Sequence, residues 1–261
     1  MFSIIDKSLL KTKIDYFLSQ KLTFSNYYGI DLTDVECMEG LETLILKKNY
    51  EGYSRIYFLS NNSDQLIMLL SLLSANDIIN IPSKTGISTD LQNILNKSGY
   101  LLYDTYMRLY NHNNKRHGKF IENFALIEDV PAIYNLIYSN FVPFTDHLPS
   151  RNELTEMVKN KQIFVNRQNN EITGVLGVEY GTSICYLSLL IDITEHRNGL
   201  FLLFNFFGYM ASININKTYL WINCNNLKVI KMYQLMGYKE DGLKDFTFTK
   251  FPKDNSNNKV N

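Results

Sequence analysis

The chain has 261 residues, with 26 Lys plus Arg against 26 Asp plus Glu and 45% hydrophobic side chains. That length admits one large core or two compact units, and zero formal charge excludes a broad basic field for gathering nucleic acid or an anionic membrane. The longest apolar run, residues 200–204, is broken by Asn205 and falls short of the about 20 apolar residues of a membrane span. The expectation is a cytoplasmic protein without nucleic-acid or membrane partners, in which any phosphate-bearing ligand is held locally.

From Met1 to Lys7 no basic region precedes an apolar core, so no signal peptide is expected. In the N-terminal half, residues 55–60 read as a strand, 64–73 as a helix, 77–81 as a strand, 91–96 as a helix, and 99–110 as one long strand or a bent pair. Residues 111–119 are polar, basic and without apolar periodicity, which suits an exposed connection between two units. An anion site is the alternative there.

After the connection, residues 121–126 read as a strand and 130–138 as a helix with Ile133, Leu136 and Ile137 on one face. Ser150 and Glu153 have capping-box spacing and start a second helix through about Val158. Strands follow at 162–166, 172–180 and 184–191, the first two forming a hairpin. A helix at 200–212, a strand at 218–222, a helix at 227–236 and a strand pair through Lys250 complete the order. The polar tail after Phe251 is expected to lack order.

Cys37, Cys185 and Cys224 are far apart and odd in number, which argues against a disulfide framework or a Cys-x-x-Cys metal site. Cys185 and Cys224 fall in or at the ends of expected strands, where a small buried side chain is the ordinary reading. His112, His117, His147 and His196 have no ligand spacing with a carboxylate or cysteine, so no metal is expected.

The series Asn226, Val229, Ile230, Tyr233, Gly237, Tyr238, following the apolar run 219–222, resembles the N-x-x-A-I-x-x-Y-x-x-x-G-F hallmark of the GNAT acyltransferases. Upstream, residues 191–201 resemble that family's cofactor loop, V-x-P-x-x-[RQ]-x-x-G-x-[GA], with His196 in place of Arg or Gln and Phe201 in place of the last small residue. The resemblance covers roughly residues 120–250 and implies an α/β fold of the α+β kind, a mixed central sheet flanked by helices. It further implies transfer of an acyl group, most simply from acetyl-CoA, to a primary amine on a small molecule or peptide.

Residue by residue, the resemblance places the acyl donor as follows. Leu189, Leu190 and Ile191 end a strand that splays from its neighbour, so that their backbone pairs with pantetheine; an ordinary buried strand is the alternative. His196, Arg197, Asn198, Gly199, Leu200 and Phe201 form the turn whose amides and helix dipole face the pyrophosphate. Gly199 permits close approach, and Arg197 is placed to supply the cation that His196 lacks. Asn226 touches the pantetheine arm, and Tyr233 gives a proton to the departing thiolate, a phenol being a competent donor at neutral pH. Packing alone is the other explanation of Tyr233.

For the base, Glu179 near the end of a central strand is the first choice, acting directly or through water, with Asp192 and Glu195 behind it. Phe144, Asp146 and His147 lie between the first two helices, where the family shapes its acceptor pocket; helix capping explains the same residues. The altered loop leaves open an inert CoA-binding or interaction module, and also a donor such as a longer acyl thioester, an acyl carrier protein or aminoacyl-tRNA. A homodimer is one assembly open to such a chain.

Gly99 follows Asn61 by 38 positions (99 − 61), as Gly237 follows Gly199 (237 − 199). The N-terminal half therefore looks like a degraded repeat, with Leu95 in the place of Tyr233 and Ser88 in the place of Asn226. The expected division is a GNAT-like N-terminal domain at 1–115, a catalytic domain at 120–252 and a tail at 253–261. Lacking both groups, the first copy is expected to be structural or to shape the substrate site.

Overall fold

The computed structural model describes residues 2–112, 120–194 and 199–251. The chain divides into two compact units, one of residues 1–105 with 243–261 and the other of residues 106–242. This differs from the expected boundary at 111–119: residues 106–111 belong with the second unit, and 243 onward with the first. Each unit draws its closing strand from the other half of the sequence, a long-range pairing that no local pattern announces.

The first unit opens with β1 (Ser3–Ile4), α1 (Lys7–Ser19), β2 (Phe24–Ser25), β3 (Val35–Glu39), β4 (Thr43–Tyr50) and β5 (Tyr53–Ser60). Then come α2 (Ser63–Ser71), β6 (Asp77–Ser83), α3 (Thr89–Lys97) and the start of β7 (Leu101–Asn111). Its sheet runs β1-β3-β4-β5-β6 and is closed by residues 244–248 antiparallel to β6. On one face Leu66, Leu69, Leu70, Ile94 and Leu95 from α2 and α3 pack on Ile56, Phe58, Ile79 and Phe248. On the other face Leu10, Ile14 and Phe17, one stripe of α1, pack on Leu44, Leu46 and Leu59.

In the second unit a 3-10 turn (Ile127–Asp129) leads into α4 (Val130–Asn140), α5 (Pro143–Asp146) and α6 (Arg151–Lys159). There follow β8 (Ile163–Gln168), β9 (Glu171–Tyr180), β10 (Cys185–Asp192), α7 (Gly199–Ser212), β11 (Thr218–Asn223), α8 (Leu227–Leu235) and β12 (Lys239–Thr249). The sheet order is β7-β11-β10-β9-β8. The hairpin of β8 and β9 turns at Asn169 and Asn170, both with positive φ (51° and 69°), as a two-residue turn that matches strand twist requires. The Ser150–Glu153 capping box forms, with Ser150 N–H donating to Glu153 Oε2 at 2.8 Å.

Two expected elements differ. Residues 121–126 make only an isolated bridge, Phe124 to Phe164, because Asn123 and Ala125 bond to β8 while Ile121 is turned to the Asn205 side chain. The expected strand pair through Lys250 is the single strand β12, with the positive φ of Gly242 (84°) inside it.

Candidate functional site

The two strands at the centre of the second sheet, β10 and β11, are parallel and pair at only three rungs: Cys185–Thr218, Tyr186–Tyr219 and Leu187–Leu220. Beyond Leu187 they part. β10 continues beside β9 to Asp192, and Trp221 to Asn223 continue beside β7. The break coincides with a bulge between Leu187 and Leu189, which leaves Ser188 unpaired. The bulge also reverses the facing of the strand: Leu187 packs with α7 and α8, whereas Leu189 and Ile191 pack with α4 and α6. Past it, the backbone of Leu189, Leu190 and Ile191 bonds to β9 on one side and has no strand partner on the other among the described residues. The splay expected from the resemblance is thus present, and those three residues line it. Ser188 Oγ is buried without a hydrogen-bond partner among the described residues, the condition of a group that a ligand or water satisfies.

Tyr233 lies beneath the point of parting. It comes from α8, is 3% exposed, and shares a core with Leu187 and Leu220. Burial pushes its phenol well above the ordinary range, with a further rise from Tyr238, whose ring meets it edge-on at 5.2 Å. It therefore stays protonated. The capping at both ends of α8 sets its position: Asn226 Oδ1 accepts Val229 N–H at 3.3 Å, and the positive φ of Gly237 (93°) turns Tyr238 N–H back to Tyr233 O at 3.0 Å. Asn226 is exposed, and its side chain is the helix cap.

At the start of α7 the structure describes Gly199, Leu200 and Phe201; Glu195, His196, Arg197 and Asn198 lie outside the described residues. Gly199 N–H donates to Asp192 Oδ2, while Asp192 Oδ1 accepts from Thr194 N–H and Oγ1. A Cβ at Gly199 would come within 3.2 Å of Asp192 Cβ, so a side chain there would press on Asp192. The amide expected to face a pyrophosphate is held by a carboxylate. Phe201 is 48% exposed and does not point into the core; Leu202 and Leu203 do.

Glu179 stands opposite Tyr186, one end of a rung that continues through Tyr219 to Tyr110. Partial burial raises its carboxyl above the ordinary range, and the Glu153 carboxylate adds to the rise. It lies two positions along β9 from Gly177, the partner of Leu189, about 7 Å of strand. Asp192, the next candidate base, is committed to the start of α7.

Phe144 and Asp146 belong to the short helix α5, and His147 follows in the left-handed region with φ 53°. Asp146 accepts from Tyr106 Oη at 2.9 Å and from Val142 N–H at 2.9 Å, which fixes this loop against β7. Sequence reasoning missed the surface beyond it. Tyr186 and Tyr219 stack at 4.9 Å, and Arg108, paired with Asp241 at 2.5 Å, lies over Tyr219 and Trp221. Strand alternation places Tyr219 and Trp221 on one face, but recognising Arg108 beside them needed the pairing of β7 with β11.

The first unit repeats this architecture. There β5 and β6 are the parallel pair, again with three rungs, Ser54–Asp77, Arg55–Ile78 and Ile56–Ile79. α3 matches α8, with Ser88 as its cap, Gly99 at φ 85° and the buried Tyr100 after it. No group of three or more His, Cys, Asp or Glu is placed to hold a metal among the described residues. No helix among them is long and apolar enough to cross a membrane.

No family model matches the sequence, and no curated protein matches it. Solved structures do. A GCN5-related N-acetyltransferase from Sphaerobacter thermophilus aligns with TM-score 0.57 at 13% identity over 87% of this chain and 84% of its own. A GNAT-family acetyltransferase from Colwellia psychrerythraea gives 0.53 at 13% over 95% and 98%. A tandem GNAT protein from the clavulanic acid biosynthesis pathway gives 0.53 at 10% over 97% and 99%. At such identities the likeness establishes architecture: the chain has the GNAT fold, with a partial repeat of it in the first half.

Proposed function

We propose that the second unit transfers an acyl group from acyl-CoA, acetyl-CoA being the simplest donor, to a primary amine. The observation that carries this is the splay of β10 from β11 with Tyr233 beneath it. The open backbone of Leu189 to Ile191 offers pairing groups to a pantetheine arm, and Gly199 at the start of α7 is the described residue that would meet its diphosphate. In that pose an amide near the bulge polarises the thioester carbonyl, where fixed donors aimed at developing oxyanion charge are most effective. The Ser188 hydroxyl adds a donor nearby. Glu179 takes a proton from the substrate ammonium through water, which frees the amine to attack the thioester carbonyl, and Tyr233 delivers a proton to the thiolate that departs as the C–S bond breaks.

A second reading is favoured by Asp192, which already occupies the Gly199 amide: a GNAT-fold module that binds a partner without chemistry. Thiol release from acetyl-CoA in the presence of a panel of small amines and peptides separates the two. Amine-dependent CoA release that falls in Tyr233→Phe supports transfer. No release with any acceptor, together with no calorimetric heat for acetyl-CoA at millimolar concentration, supports the inert module.

A further inference from the structure

In the first unit the gap between the parted strands contains protein. After Ile56–Ile79, β5 continues to Ser60 beside β4, and β6 to Ser83 beside residues 244–248. The segment 23–26 enters between them. Thr23 N–H donates to Ser60 O at 3.2 Å, and Phe24 and Ser25, as β2, pair antiparallel with Ser60 and Leu59. Asn26 then spans the gap. Its Nδ2 donates to Ile56 O at 2.9 Å on one strand and to Asn80 O at 3.0 Å on the other, and its Oδ1 accepts Phe58 N–H at 2.7 Å. The residue is 5% exposed, and all three bonds are buried.

Ile56 O and Phe58 N–H correspond to the open edge of β10 in the second unit, and Asn80 O to the facing edge of β11. An amide side chain suits them because it carries two donors and an acceptor in one plane. The start of α2 is occupied as well: Asn62 Oδ1 accepts Gln65 N–H at 2.9 Å, leaving that amide no role toward an anion. Segment 23–26 thus meets the first cleft's hydrogen-bonding needs from within the chain.

We infer that residues 23–26 are a built-in occupant of the first unit's cleft, with Asn26 standing where a pantetheine amide would bond, so that the chain has two clefts and takes up one CoA. The inference rests on the reading of the second unit as a CoA site. It explains how the repeat can dispense with a ligand without leaving buried backbone groups unpaired.

Calorimetric titration of the full chain with CoA, with hydrogen exchange followed at the Phe58 amide, tests it. One equivalent is expected, with a protected Phe58 amide. In Asn26→Ala, exchange at Phe58 should accelerate at least tenfold while the affinity of the single site stays within twofold. Asn26→Leu, which keeps roughly the size and removes the acceptor of the Phe58 amide together with both donors, serves if the alanine variant does not fold. Two equivalents for the unaltered chain, or unchanged Phe58 exchange in both variants, overturns the inference. Zero equivalents overturns the CoA reading of the second unit, and Phe58 exchange then decides by itself whether Asn26 closes the cleft.

Discussion

Leu95 and Tyr233 occupy the same place in two helices. Each backbone carbonyl accepts the amide of the buried tyrosine that follows a positive-φ glycine, Tyr100 to Leu95 at 2.9 Å and Tyr238 to Tyr233 at 3.0 Å. Leu95 is fully buried and Tyr233 nearly so, at 0% and 3% exposed. One position therefore serves packing in both units, and in the second it carries the phenol proposed as the proton donor. Leu95→Ala should destabilise the first unit by about 2–5 kcal/mol, the usual cost of a cavity in a closed core. Tyr233→Phe should leave the melting temperature nearly unchanged and lower turnover by about 10²- to 10⁴-fold. Thermal melts and acyl-transfer rates on the two variants check this, and unchanged turnover in Tyr233→Phe assigns the phenol to packing.

The pH profile should be one-sided. As the proposed base Glu179 works as the carboxylate, so kcat should rise with pH through its folded value, which burial and Glu153 place above the ordinary 4.5. Burial holds the Tyr233 phenol above its ordinary value of 10, so the donor is not lost on the alkaline side within the usual assay range. Glu179→Gln should remove the acid limb and lower the plateau. A profile for that variant identical to the parent's would show that another group takes the proton.

Asp192 sets a cost on anion binding at the start of α7, since a diphosphate approaching Gly199 N–H meets a carboxylate already bonded there. Asp192→Asn keeps an acceptor for that amide and removes the charge. CoA should then bind several-fold more tightly, with the larger gain at low salt, where charges are least screened. Titration calorimetry at two ionic strengths measures it. Weaker binding at both would show that the carboxylate organises the loop for the ligand.

The division of the chain predicts which fragments fold. A fragment of residues 106–242 retains the strand that pairs with β11 from Tyr106–Asn223 to Asn111–Thr218. A fragment of 120–242 lacks it and exposes the β11 edge, a template for aggregation. Circular dichroism melts should show a cooperative transition for the first fragment only. A cooperative, soluble 120–242 would show that this strand is dispensable.

What the sequence made legible was local. Both ends of α8 are written in short-range capping chemistry, Asn226 at the start and Gly237 at the end, so its motif could be placed to within a residue. The hairpin of β3 and β4 was not seen, because Thr43 to Leu46 are all buried and show no alternation. The bulge at Ser188, the short pairing of β10 with β11 and the filling of the first cleft by Asn26 were not legible either. Each is a backbone register between distant segments, and residue type constrains such registers weakly. Among the site residues, Leu189 to Ile191 and Tyr233 come together at the parting of the strands. Asn226 is a helix cap at the near end of α8, and Asp146 serves α5 and Tyr106.

The most direct test is a crystal structure of the full chain grown with acetyl-CoA. The account predicts a pantetheine arm between β10 and β11, bonded to the backbone of Leu189 to Ile191, with its sulfur near Tyr233 Oη and segment 23–26 still seated between β5 and β6. A pantetheine arm between β5 and β6, with Asn26 displaced, would contradict it.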